Sequence, residues 1–298
     1  MNGPLAAVIG AAIVLGSVLI GYLLAGGQLL ALNQPAELLI VGGAAIGAVM
    51  IGSPPRVLVA LLRQLRGCAS PRIGRDDYME LLPMLYQFLK LIQQCGVMSL
   101  ESHLDSPAES SILSACPRLR SRPVALNFLA DSVRAIIMGG IAPHDLEALM
   151  DDDRQVLREE ASEPAVMLHR MAEALPGLGV VAAVLGVVVT MAAVDGPAAE
   201  IGHKVGAALV GTFLGVLLSY GFVQPLATHL EHRVEDEAQY LMCIKAALLA
   251  SQKGVAPAVA IEFARRTVMT DVRPTFDDTE RACRHAKSVW AKPESTAA

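Results

Sequence analysis

A chain of 298 residues with 53% hydrophobic content is apolar for a soluble protein, and its charge lies mostly between a few long apolar runs. A net charge of −5, only 4% aromatic residues and no dense Lys/Arg cluster exclude nucleic acid as an expected partner. Five scattered cysteines (Cys68, Cys95, Cys116, Cys243 and Cys283) and the lack of CxxC or HExxH spacing point to reduced thiols, with no metal site and no cofactor expected.

The first apolar run covers 5–25. No Lys or Arg precedes it, and it is long for a signal segment, so a retained transmembrane helix is expected. The others lie near 37–52, extendable upstream through Leu32, and at 175–194 and 205–228. Each can cross about 30 Å of hydrocarbon as a helix. All carry Gly and Ala, which let helix backbones approach closely in lipid.

Between the second and third runs, 77–94 and 123–139 repeat apolar residues at three- and four-residue steps and predict amphipathic helices. A charged helix is expected over 143–160, opened by Pro143. A tail helix over 229–250 continues from the fourth run, and the polar stretch from about 285 is expected to fray. Arg56, Arg63, Arg66, Arg72 and Arg75 follow the second run, and Arg233 and Lys245 follow the fourth. By the positive-inside rule the 53–174 segment and both termini face the cytoplasm. The expected organisation is transmembrane helices in 1–52, a cytoplasmic helical domain in 53–174, transmembrane helices in 175–228 and a cytoplasmic tail in 229–298.

The four runs hold no ionisable residue in their interiors, with Glu37 only at the outer end of the second. An ion relay through lipid needs such a group near mid-depth. Either the chain moves no ions, or a partner helix supplies the carboxylate. Thr190, Thr212 and Ser219 are the hydroxyls available for lining a path. Pro176 opens the third run and Pro225 lies in the last turns of the fourth. Helix punctuation accounts for both, and a paired collar at the inner mouth of a channel is the functional alternative. No Ser-His-Asp arrangement or P-loop is found, so no enzymatic activity is expected.

The blocks LPGLGVVAAVLGVV (175–188), GPAAEIG (196–202), VGTFLGVLLSYGFVQPLAT (210–228) and GVAPAVAIEFARRTV (254–268) closely resemble the MotA family of flagellar stator proteins. So do GGQLLALNQPAELLIVGGAAIG (26–47), SLESHLDSPAESSIL (99–113) and LEALMDDD (146–153). The resemblance implies an all-α integral membrane protein of the bacterial inner membrane, with four transmembrane helices and a large helical cytoplasmic domain, assembled as a homopentamer in membrane lipid. It implies two partners. MotB would supply the channel Asp and the peptidoglycan anchor, and the rotor protein FliG would receive the push of the cytoplasmic domain.

Residue by residue, the resemblance assigns torque coupling to Pro176 and Pro225 and the ion path to Ala183 and Thr212. Sodium-driven relatives place a Thr where Ala183 stands, so the implied ion is the proton. Glu101 matches a charged rotor contact whose usual basic companion is Gln93 here. Lys90 lies about one helical turn before Gln93 and can present charge nearby. The acidic run Asp151, Asp152 and Asp153 is a second expected rotor contact, set against a plain solvated helix end. The rival readings are an ExbB/TolQ-type energiser of an outer-membrane system and a membrane scaffold that conducts nothing.

Overall fold

The computed structural model describes residues 3–68, 70–192 and 194–290. Every regular element among them is helical. The principal helices are α1 (Gly3–Leu24), α2 (Pro35–Gly52), α3 (Pro55–Gly67), α4 (Arg75–Cys95), α5 (Pro123–Met138), α6 (Pro143–Met191), α7 (Ala198–Leu218), α8 (Gln224–Gln252), α9 (Pro257–Thr267) and α10 (Phe276–Trp290). Among the described residues, four helical stretches are long and apolar enough to cross a membrane: Leu5–Leu24, Leu29–Gly52, and parts of Pro143–Met191 and Ala198–Gln252. The chain forms two compact units, one of Met1–Arg72 with Ala161–His232, the other of Ile73–Glu160 with Arg233–Ala298.

In the first unit, α1 and much of α6 and α7 turn large apolar side chains outward, among them Val8, Ile13, Val184, Val188 and Leu209. In water such a surface would aggregate; in lipid it is the solvent-facing side of a spanning helix. Prolines at the first positions of α2 and α3 start those helices where no intrahelical N–H partner is needed. Helix α3 is held to α6 by Gln64 Nε2, which donates to the Ala161 carbonyl at 2.7 Å, and by an Arg56–Glu163 ion pair at 2.9 Å.

The second unit is built on α4. Tyr78, Leu81, Leu82, Leu85, Phe88 and Leu89 are buried, and their spacing is one helical face. They join Phe128, Leu129 and Val133 of α5, Tyr240, Ile244 and Leu248 of α8, and Ile261 of α9 in one core. Each large side chain so buried contributes roughly 1.5–3 kcal/mol before entropy is counted. Asp77 accepts from the Gly74 N–H at 2.9 Å and caps the start of α4, while its other oxygen accepts from Arg122 at 3.0 Å. Helix α4 ends at Gly96, whose φ of 82° lies in the left-handed region that a side chain would resist.

One expectation about the elements is corrected. The charged 143–160 segment does not end before the third apolar run; α6 continues through Pro164 and Pro176 to Met191. Helix α10 runs to Trp290, and the rest of the polar stretch expected to fray lies outside the described residues. None of the five cysteines is disulfide-bonded; Cys116, Cys243 and Cys283 are buried and Cys95 is exposed.

Candidate functional site

Pro176 sits inside α6 and has no N–H to give the carbonyl four residues earlier, that of Ala172. Ala172 is buried, so its carbonyl oxygen needs another donor. Ser219 supplies it: its fully buried hydroxyl donates to Ala172 O at 2.6 Å. Ser219 opens a π-helical turn, Ser219–Val223, that joins α7 to α8. Pro225 follows directly as the second residue of α8. A π turn widens the backbone where the ring and missing N–H of a following proline would disturb an α-helical register. One serine thus answers the carbonyl left open by Pro176 and opens the turn that precedes Pro225.

Above this junction α6 and α7 pack backbone to backbone. A Cβ on Gly215 would lie 2.6 Å from the Leu175 carbonyl oxygen and 2.9 Å from Gly179 Cα. A Cβ on Gly179 would lie 2.9 Å from Gly211 O, and one on Gly186 would lie 2.5 Å from Ala208 Cβ. Residue numbers fall along α6 as they rise along α7, so the helices are antiparallel, and Gly211 and Gly215 form a small-xxx-small face. Ala183 and Thr212, expected together on the ion path, are both half-buried at this crossing. The Thr212 hydroxyl donates across it to Gly179 O at a long 3.4 Å. Thr190 turns inward on its own helix, donating to Gly186 O at 2.8 Å. Pro225 is exposed beside an open hollow that Tyr220, His229 and His232 help to line.

Glu37, expected at the outer end of its span, stands in the first turn of α2. Its side chain is buried, and Oε2 has no hydrogen-bond partner. A Cβ added to Gly211 would meet that oxygen at 2.7 Å, Ala182 Cβ at 2.9 Å and the Ala183 nitrogen at 3.5 Å. The chain therefore brings a carboxyl of its own to the middle of the α6–α7 crossing. Sequence position gives depth along a residue's own helix, but not the level at which that helix packs on its neighbours. A buried-facing Glu just inside a helix start, followed at four-residue steps by Val41 and Ala45, was the available signal.

The expected rotor residues lie in the second unit. Glu101 is exposed at the first position of the short helix Glu101–Asp105. Lys90 is half-buried with Nζ 5.8 Å from the Tyr86 ring centroid, a cation–π contact along one face of α4, and Gln93 is exposed. The acidic run divides. Asp151 bonds the buried Lys245 Nζ at 2.6 Å and Arg154 at 3.3 Å, and these cations, Lys245 foremost, hold its carboxyl below the usual range. Asp152 and Asp153 are exposed; partial desolvation by its neighbours, followed by the nearby Asp131 charge, pushes the Asp153 carboxyl up.

Apolar helices packed through small residues, with the defect at Pro176 closed by an interhelical hydroxyl, define a helical membrane protein. Comparison with known proteins narrows the class. Residues 8–96 match the Motility protein A N-terminal family and residues 122–242 match the MotA/TolQ/ExbB proton channel family. Motility protein A of Salmonella typhimurium is 39% identical over 282 residues, covering 94% of this chain and 95% of that protein. Motility protein A of Escherichia coli K12 is 40% identical over 286 residues, with the same shares covered. In fold the chain is similar to the C. jejuni MotAB structure, with a TM-score of 0.74 at 19% identity over 91% of this chain and 98% of that one. The flagellar MotAB stator complex from Bacillus subtilis gives 0.68 at 21% identity over 93% and 98%. The chain belongs to the Motility protein A family.

Proposed function

We propose that this chain is the proton-channel subunit of a bacterial flagellar stator, converting ion flow across the inner membrane into torque on the rotor. The observation that carries the reading is the hydrogen bond from Ser219 to Ala172 O, which ties the defect of Pro176 to the turn before Pro225. A helix pair closed by a side-chain bond, in place of the backbone bond that Pro176 removes, can change register at low cost. That is what a stepwise motor element requires.

In this reading five copies surround a MotB dimer, whose single helix brings an essential Asp to the face carrying Ala183 and Thr212. Four helices cross the membrane, with both termini and the second unit in the cytoplasm, as the Arg residues of 56–75 favour. Protonation of the partner's Asp shifts the proline-bearing segments, and the exposed charges of the second unit press on FliG. Glu101, Asp152 and Asp153 with Lys90 form that contact, while Asp151 anchors the helix through Lys245. The ExbB/TolQ reading is not favoured, because the N-terminal 8–96 match is to the motility family.

Ala183 leaves the path one hydroxyl poorer than a sodium site needs, so the transported ion is the proton. Replacing external sodium with potassium at constant pH leaves swimming speed unchanged in cells that rely on this stator. Loss of motility on that exchange would falsify the proton assignment.

A further inference from the structure

Helix Glu101–Asp105 is five residues long, too short to hold its shape by its own backbone bonds. Its place on the second unit is set by what it touches. Leu104 is buried. Asp105 pairs with Arg134 at 3.2 Å, but both side chains are at least half exposed, and such pairs contribute little. The polar contact that reaches inward is made by His103, whose Nδ1 lies 2.9 Å from the Ser110 hydroxyl oxygen. The chain doubles back between them, with the Ser110 N–H donating to Ser106 O at 3.0 Å. Ser110 is buried, and its hydroxyl oxygen also accepts the Leu113 N–H at 3.0 Å, where the 3-10 turn Leu113–Ala115 begins. One hydroxyl thus ties the helix that carries Glu101 to the segment that follows it.

The protonation state of His103 decides whether that tie holds. The other partner of the Ser110 oxygen is a donor, so among the described residues Nδ1 is the acceptor for the hydroxyl proton. A neutral imidazole with a bare Nδ1 satisfies every group. Protonation turns Nδ1 into a donor, which leaves the buried hydroxyl with two donors aimed at its oxygen and no acceptor for its own proton. The imidazole's ring neighbour is buried Phe88, 6.4 Å away between centroids, which offers no counter-charge. Charged residues at this end of the adjoining elements are Glu101 and Asp105 on the same helix, Glu109 in the following turn, Lys90 on α4, and Asp131 and Arg134 on α5. Among the described residues Arg134 is paired to Asp105 and Asp131, and none of the six is ion-paired with the imidazole. Burial accordingly holds His103 below its ordinary value of 6.5.

We propose that His103 is a positioning residue of the rotor contact: neutral, it fixes helix Glu101–Asp105 through Ser110, and acidification of the cytoplasm frees that helix and weakens the push on the rotor. The proposal rests on the stator reading above and adds to it a control at the rotor face, apart from the ion path. The sign follows from linkage. The freed imidazole binds a proton more readily than the held one, so falling pH favours the freed form.

The test uses cells in which this chain is the sole stator subunit of its kind, with cytoplasmic pH lowered from about 7.5 to about 6 by a permeant weak acid, a range that spans histidine titration. His103→Asn keeps an acceptor oxygen near the place of Nδ1 and removes titration. On acidification the wild-type motor is expected to lose a larger fraction of its rotation speed than the Asn variant. Equal fractional losses overturn the inference and leave the stator reading intact. No rotation by the wild type at either pH overturns the stator reading and the inference with it. Should the Asn variant not reach the membrane, amide hydrogen exchange is followed on the purified wild-type complex with its partner, corrected for the intrinsic effect of pH. Protection over 99–113 is expected to drop about fivefold in acid, the low end for coupled sites, while that of α4 holds. Unchanged protection over 99–113, or an equal drop in α4, refutes the proposal.

Discussion

Ala172 shows how one residue's chemistry is set by another far along the chain. Pro176 removes its donor and Ser219 replaces it at 2.6 Å. Ser219→Ala leaves the buried carbonyl unpaired, which costs about 1–3 kcal/mol. Pro176→Ala gives the N–H back, so removing Ser219 in that background is expected to cost less. The two effects then couple by roughly 0.5–3 kcal/mol, as for any pair sharing a partner. Denaturant unfolding of the four proteins in detergent measures this, and strictly additive losses would show that the residues do not share the carbonyl. The prolines themselves were legible in the sequence. Their link was not, because a hydroxyl 47 positions away leaves no local pattern.

Among the elements, α6 and α7 depend on the glycine face. Gly215→Ala puts a methyl 2.6 Å from the Leu175 carbonyl oxygen, a backbone atom that cannot rotate away. Overpacking of this kind costs typically 1–3 kcal/mol. Gly206→Ala meets nothing within 4 Å and serves as the control on the same helix. The first change should lower the melting temperature of the purified protein and the second should leave it unchanged or raised, since Ala favours helix over Gly. Equal behaviour would mean the crossing is looser than described. The amphipathic helices of 77–94 and 123–139 were readable because apolar periodicity is a property of the segment alone; they form as Arg75–Cys95 and Pro123–Met138. The join of 143–160 to the third apolar run was not, because Pro164 and Pro176 read locally as breaks. The helix survives Pro176 because Ser219, in the turn after α7, satisfies the carbonyl that the proline leaves open.

At the scale of the whole molecule, the two units answer to different perturbations. In the second, Glu262 receives Arg265 and Arg266, both at 2.7 Å. Those bonds, Arg265 foremost, pull its carboxyl from the ordinary 4.5 to about 2. A depressed acid stabilises the fold above its unfolded value and loses that contribution as pH falls. The melting temperature should therefore drop between pH 4.5 and about 2, and Glu262→Gln should flatten part of that slope. An unchanged slope would assign acid sensitivity to other carboxylates. Motility tests the same unit's outer surface. Glu101→Lys is expected to reduce swimming while leaving membrane level and partner capture intact. Loss of assembly in place of swimming would make Glu101 a folding residue. Here the resemblance to stator proteins supplied the role, since an exposed acid at a helix start has no distinctive signature of its own.

The sequence by itself determined which segments are apolar enough to enter lipid, which stretches wind into amphipathic helices, and which family the chain resembles. Hydropathy and periodicity are written residue by residue and survive without knowledge of neighbours. Only the tertiary structure decided that Glu37 lies beside Gly211 and Ala183, that Ser219 answers for Pro176, and that Asp151 belongs to Lys245. These pairings depend on the level at which one helix packs against another. That level is set by the fit of small residues across the crossing, a property no single segment contains.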